Sequence, residues 1–332
     1  MEVTRPRALL LAAAVVLGCL TSPCESSLYQ PPPPAMTFHD GAVLEGTVPV
    51  SVLYYGAFPP HHRAVVGDFI LSLSPSRREG RQQHSFGVPG PAPAPAPTVA
   101  RWWGTVERYV RRAGGDGARV LLASQVSDEG CSLGKRLSRA QVERLAARLG
   151  VAPGGVAVVL TAADVAVDGF CSSACGVHGS SAPGGAVHVW VGDSSTQCPG
   201  RCAWPFHAAD GFAYDAGAGR RAHDHGRESE ALRAPNGDAG VDGMVINLAA
   251  LLAGVVTNPY GRGYFQGDAA LPVEVAAACP GVYGRGAYPG YPGAVRVDSA
   301  TGAGYNVVGR NGRRYLVPAL VDPDNYSCLI MA

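Results

Sequence analysis

Apolar positions along the chain alternate between short runs that suit buried strands and stripes at helical spacing. Val48 to Tyr55 is rich in β-branched and aromatic residues and predicts a buried strand. From Arg63 to Ser74, Val65, Val66, Phe69, Ile70 and Leu73 fall at helical spacing. Thr98 to Arg112 repeats the pattern, with Val99, Trp102, Trp103, Val106, Tyr109 and Val110 on one stripe. Val120 to Ala123 predicts a short strand. A helix opens at Ser138, with Gln141 in the capping-box position, and runs to Leu149. Val156 to Leu160 and Val187 to Val191 predict two more strands. Asp242 to Val256 is a strongly apolar helix whose Asp242 and Asn247 mark it as a core element rather than a membrane span. Beyond Pro259 the chain turns rich in Gly, Pro and Tyr, with short strands expected near Val295, Tyr305 and Tyr315. The alternation predicts an α/β fold: one domain, a mixed sheet covered by helices, and an irregular C-terminal part. Two breaks, at 75–97 with its Pro-Ala alternation and at 208–233, read as loop insertions within that domain.

Composition narrows the function. The 332 residues are 47% hydrophobic, enough for a full core. Only 16% are charged, and 27 basic residues face 26 acidic ones, so no global field draws nucleic acid. The first 26 residues have the three parts of a secretory signal: Arg5 and Arg7, the apolar run Ala8 to Leu20, then small and polar residues. No later run is a membrane anchor, so the expected destination is extracellular.

Cysteine usage fits an oxidising compartment. Cys19 and Cys24 leave with the signal. Cys131, Cys171, Cys175, Cys198, Cys202, Cys279 and Cys328 remain, an odd number. Sequence does not choose among the pairings. The spacing Cys171-x3-Cys175 and Cys198-x3-Cys202 also permits a four-thiolate zinc site. Asn325-Tyr326-Ser327 is a glycosylation acceptor.

No Gly-x-Ser-x-Gly elbow, phosphate-cradling Gly-x4-Gly-Lys loop or His-Glu-x2-His helix is present. Three weaker features carry candidate chemistry. His178 and His207 each follow a cysteine pair and are candidates for metal ligation or proton transfer, or are held in disulfide-pinned loops. Asp193, Asp238 and Asp242 stand at strand ends and helix starts, where α/β ligand groups collect and where caps also sit. Tyr288 and Tyr291, among Gly and Pro, are candidates for stacking on sugar faces.

Long irregular strings then point to a family. Val52-Leu53-Tyr54-Tyr55-Gly56, Asp68 to Ser74, the Trp102-Trp103 pair and Ser132-Leu133-Gly134-Lys135 are among them. So are Gly169 to Gly179, Trp190 to His207, Ala234-Pro235-Asn236-Gly237-Asp238, Val241 to Leu248 and Tyr315 to Leu320. In these the chain resembles the plant EXORDIUM-like, or phosphate-induced protein, family over roughly residues 36–328. The resemblance implies a secreted protein of the apoplast and cell wall, associated with cell expansion and growth. It supplies no established activity and no cofactor. Cys131 stands where the family usually has Tyr, which implies that Cys131 is the unpaired thiol. The helix ending Thr257-Asn258-Pro259 is also similar to a degraded zinc-protease helix, which implies a degenerate zincin-like fold. Ala250 and Leu251 stand where its His-Glu pair would be, so ligand and base are both missing. The expected role is non-catalytic binding of a wall polysaccharide or a cell-surface receptor. The alternative is a hydrolase working through His178, His207 and Asp193, Asp238 or Asp242.

Overall fold

The computed structural model describes residues 35–74, 96–180, 182–207 and 231–331. The signal segment 1–26 and nearly all of the 75–97 and 208–233 insertions lie outside these residues. The centre is a five-stranded sheet of β1 (Gly46–Tyr55), β2 (Ala118–Asp128), β3 (Val156–Thr161), β4 (Gly176–Ser180) and β5 (Val187–Gly192). Its order is β2-β1-β3-β5-β4. The first four in that order run parallel, and β4 pairs antiparallel to β5 from Gly176↔Val191 to Ser180↔Val187. The fold is thus a mixed α/β single domain, as the alternation of periods predicts. β3 is buried at every position, as a central parallel strand with covered faces must be.

Among the described residues four helices cover the sheet. α1 (Pro60–Leu73), α2 (Val99–Arg112) and α4 (Ala239–Thr257) pack on one another, while α3 (Arg139–Ala147) packs on β3 and β5. α1 begins three residues before the expected Arg63, because Pro60 opens it at the position where a missing N–H costs nothing. α3 starts with the expected capping box: the Ser138 hydroxyl accepts from Gln141 N, and the Gln141 side chain accepts from Ser138 N. In α2 the two indoles are fully buried and satisfied, Trp102 donating to Pro318 O at 2.8 Å and Trp103 to Ala118 O at 2.7 Å. α4 is long and apolar enough to cross a membrane, but it is the core helix, 78% buried in its most apolar stretch. Small residues let it approach its neighbours; a Cβ on Gly243 would meet Ala203 Cα at 2.6 Å.

The irregular part after Pro259 is a set of two-residue ladders, including Arg296–Val297 with Gly304–Tyr305 and Val307–Val308 with Arg314–Tyr315. Buried side chains hold it where strands are too short to do so. Asn306 donates to Tyr283 O and Val317 O and accepts from Val317 N, and the Tyr315 hydroxyl donates to Val65 O.

Candidate functional site

The two Cys-x3-Cys segments join each other. Cys171 bonds Cys198 and Cys175 bonds Cys202, so the turn before β4 is stapled twice to the helical turn Pro199–Cys202. All four sulfurs are consumed, which removes the four-thiolate zinc alternative. Cys279–Cys328 ties the irregular tail together, and Cys131 is a buried free thiol. The thiol is pushed up by burial.

The staples position β4, which sequence reasoning read as a loop. Gly176-Val177-His178-Gly179-Ser180 has two glycines and one β-branched residue, so intrinsic strand preference is weak. Pairing with β5 along all five residues imposes the strand. β4 is a sheet edge. Gly192 N donates to Cys175 O, and the alternation of antiparallel pairs then turns the N–H and C=O of Gly176, His178 and Ser180 away from β5. Among the described residues no backbone group pairs with that outer edge.

A groove of about 400 Å³ runs along the edge. Val177, Leu251, Pro259, Tyr260 and Pro272 give it largely apolar walls. At one side His178 Nε2 lies 2.8 Å from Glu274 Oε2, both side chains about seven-eighths buried. Asn258 Nδ2 donates to the other carboxylate oxygen at 2.8 Å. Asn258 Oδ1 in turn accepts from Gly263 N, which fixes the amide. His178 Nδ1 is buried without a hydrogen-bond partner. Space for the pair comes from Gly254 on α4, where a Cβ would overlap Glu274 Oε2 and come within 3.1 Å of His178 Nε2. Glu274 was not singled out from sequence; it lies 96 residues from His178 in the irregular tail.

The three aspartates collect elsewhere. Asp193 follows β5, Asp238 caps α4 by accepting from Val241 N at 3.0 Å, and Asp242 lies in the first turn of α4. Their histidine is His62 on α1, whose Nε2 is 3.3 Å from Asp238 Oδ2. Sequence reasoning missed His62, although Pro59-Pro60-His61-His62 directly follows the first strand, where ligand groups gather. His178 lies instead over Gly254, twelve residues and about 18 Å further along α4 than Asp242. His207 is exposed beyond the stapled turn. His178 and Asp242, expected together in a hydrolase site, are thus held at different places along α4.

The environments of these carboxylates diverge. The His62 hydrogen bond, helped by the Val241 and Gly240 amides, lowers Asp238 to about 2. The same bond raises His62, with Asp193 and Asp242 adding to it against the effect of burial. Burial pushes Asp242 up to about 7, although Asn236 N and Nδ2 donate to it at 2.8 and 2.6 Å. Asp193 accepts from Ser195 N at 2.9 Å. Each carboxylate thus organises a cap or a turn, and among the described residues no three His, Cys, Asp or Glu side chains converge as a metal site.

Tyr288 and Tyr291 face each other at the tip of a hairpin, exchanging both backbone hydrogen bonds with ring centroids 5.1 Å apart. Tyr288 is 65% exposed. Asn325 is exposed on a turn, its Oδ1 accepting from Ser327 N and Oγ.

Comparison with known proteins covers nearly the whole described chain. The phosphate-induced protein 1 conserved region matches residues 36–331. The chain is 46% identical over 321 residues to Protein PHOSPHATE-INDUCED 1 of Nicotiana tabacum, spanning 93% of both chains. It is 46% identical over 299 residues to Protein EXORDIUM-like 1 of Arabidopsis thaliana, spanning 88% of both. It is 44% identical over 305 residues to Protein EXORDIUM of the same plant, spanning 89% of both. No solved structure matches. From the match across the sheet, the stapled β4 segment and the ladder-built tail alike, the chain belongs to the phosphate-induced protein family that contains EXORDIUM and the EXORDIUM-like proteins.

Proposed function

We propose that this is a secreted protein of the wall space that acts in cell expansion by non-catalytic binding, and that it grips an extended peptide segment of a receptor or wall protein along β4. The observation that carries this reading is the free outer edge of β4 facing a groove with apolar walls. An open edge offers alternating N–H and C=O groups that an extended chain satisfies by adding a strand, while the walls take alternate side chains. The disulfide staples support it, because they fix the edge before a partner arrives and so lower the ordering cost of binding. Three disulfides in one chain are also the chemistry of an oxidising compartment. Leu251, at a position where a zinc-hydrolase helix would need a polar group, gives the groove an aliphatic wall instead.

Ser180→Pro tests the reading. The Ser180 N–H points off the sheet, so proline removes a docking donor without removing a bond to β5. The secreted variant is expected to keep its three disulfides and its unfolding midpoint, and to lose the growth response that wild-type protein restores in a plant lacking it. A full growth response from a folded Ser180→Pro variant would overturn the assignment of β4 as the working edge.

A further inference from the structure

A second cavity lies between α2 and the tail. One stripe of α2 presents Arg101, Gly104 and Arg108, at spacings of three and four residues that share a helix face. Arg285, Arg296 and residues 329–331 close a space of about 600 Å³ over that stripe. Among the described residues four guanidinium groups line it and no carboxylate does. Arg108 is neutralised by Asp322, at 3.0 Å, and by Asp324. Arg101 and Arg285 are exposed, and among the described residues their side chains form no ion pair or hydrogen bond. The chain as a whole carries only +1, so this is a local excess of positive charge.

The remaining walls add to the picture. Leu329, Ile330 and Met331 give one end of the space an apolar surface. Arg285 is also the base of the tyrosine hairpin: it bridges Ala294, whose N–H donates to Arg285 O, and the Tyr288–Tyr291 pair is three residues further on. One hairpin therefore carries an exposed guanidinium and an aromatic pair, of which Tyr288 is exposed and Tyr291 half-buried. The cavity is far larger than a single inorganic anion and lies in the size range of sites for ligands of several rings, roughly 300–1,000 Å³. Guanidinium forks match carboxylates in a bidentate geometry. Aromatic faces and aliphatic walls match the C–H faces of sugar rings.

We propose that this cavity binds an acidic oligosaccharide, with uronate carboxylates on Arg101 and Arg285 and a sugar ring against Tyr288 and Tyr291. The site is separate from the β4 groove and does not depend on it. Together the two would let one molecule hold a charged wall polymer and a peptide partner at once.

Titration calorimetry on the full secreted chain tests this with oligogalacturonate, its fully methyl-esterified form and inorganic phosphate. Oligogalacturonate is expected to bind, and to bind more weakly as salt is raised. The methyl ester, which keeps the rings and loses the charge, is expected to bind at least about tenfold more weakly, as is each of Arg101→Gln and Arg285→Gln. Gly104→Met fills the space and leaves every charge in place. A Cβ at Gly104 meets nothing within 4 Å, so the variant folds and is expected to lose binding. Absence of oligogalacturonate binding, equal binding of the ester, indifference to Gly104→Met, or phosphate competing as well as the sugar would each overturn the proposal. Loss of oligogalacturonate binding in Ser180→Pro would assign the sugar to the β4 groove and overturn it as well.

Discussion

The same substitution at two helix positions is expected to change stability in opposite directions. Glycine inside a helix costs about 0.5–1 kcal/mol relative to alanine, through lost chain entropy. Gly104 in α2 has nothing within 4 Å of an added Cβ. Gly104→Ala should therefore stabilise by that amount. Gly254 in α4 is different, because Glu274 occupies the space its Cβ would fill. Alanine there pushes the carboxylate off two 2.8 Å hydrogen bonds, one to His178 and one to Asn258. Hydrogen bonds to charged groups contribute about 1.5–3 kcal/mol each. With partial re-pairing, and after the helix gain, Gly254→Ala should destabilise by about 2–4 kcal/mol. Urea unfolding with disulfides intact measures both variants against wild type. The cycle closes with Glu274→Ala: once the carboxylate is gone, Gly254→Ala should stabilise as Gly104→Ala does. Stabilisation by Gly254→Ala in the presence of Glu274, or equal destabilisation in its absence, would rule out the clash with Glu274 as the cause.

Other outcomes follow from the remaining geometry. Asp242, raised to about 7, and His62, also raised, both stabilise the fold most below their unfolded pKa values, and that contribution is lost as pH rises through the folded ones. Asp238, lowered to about 2, works the other way, its contribution being lost only as pH falls below about 4. Denaturation midpoints should therefore peak near pH 4 and decline from there to about pH 7, and the decline should shrink in Asp242→Asn; an unchanged decline in that variant would assign it to other groups. Removing Cys171–Cys198 leaves Cys175–Cys202 closing nearly the same loop, so the loss should be only about 2–3 kcal/mol. Removing Cys279–Cys328 frees a loop spanning 49 positions and should cost about 4 kcal/mol; equal losses in the two variants would contradict the loop-entropy reading. Cys131, 8% exposed, should resist alkylation in the native protein and react on unfolding, which mass spectrometry reads directly.

The elements whose signals are local were legible in the chain. The capping box of α3, the unbroken apolar run of β3 and the small-residue core helix α4 each follow from a few neighbouring residues. Features made by distant partners were not. β4 has poor strand chemistry and exists because β5 pairs with it. The His178–Glu274 contact crosses 96 positions, and His62 meets Asp238 only because the starts of α1 and α4 come together. Histidines and aspartates were recognised as residue types, but partnership is a tertiary property. Residue type grouped His178 with Asp242, although His178 lies over Gly254, about 18 Å further along α4.

The most direct measurement is hydrogen exchange on β4. Random extended peptides selected on the purified, secreted protein supply the probe, and exchange is followed with and without a selected peptide. Slowed exchange is expected at the amides of Gly176, His178 and Ser180, with no cleavage of the peptide and with loss of binding in Ser180→Pro. Peptides that protect other segments and leave these three amides unchanged would contradict docking on β4.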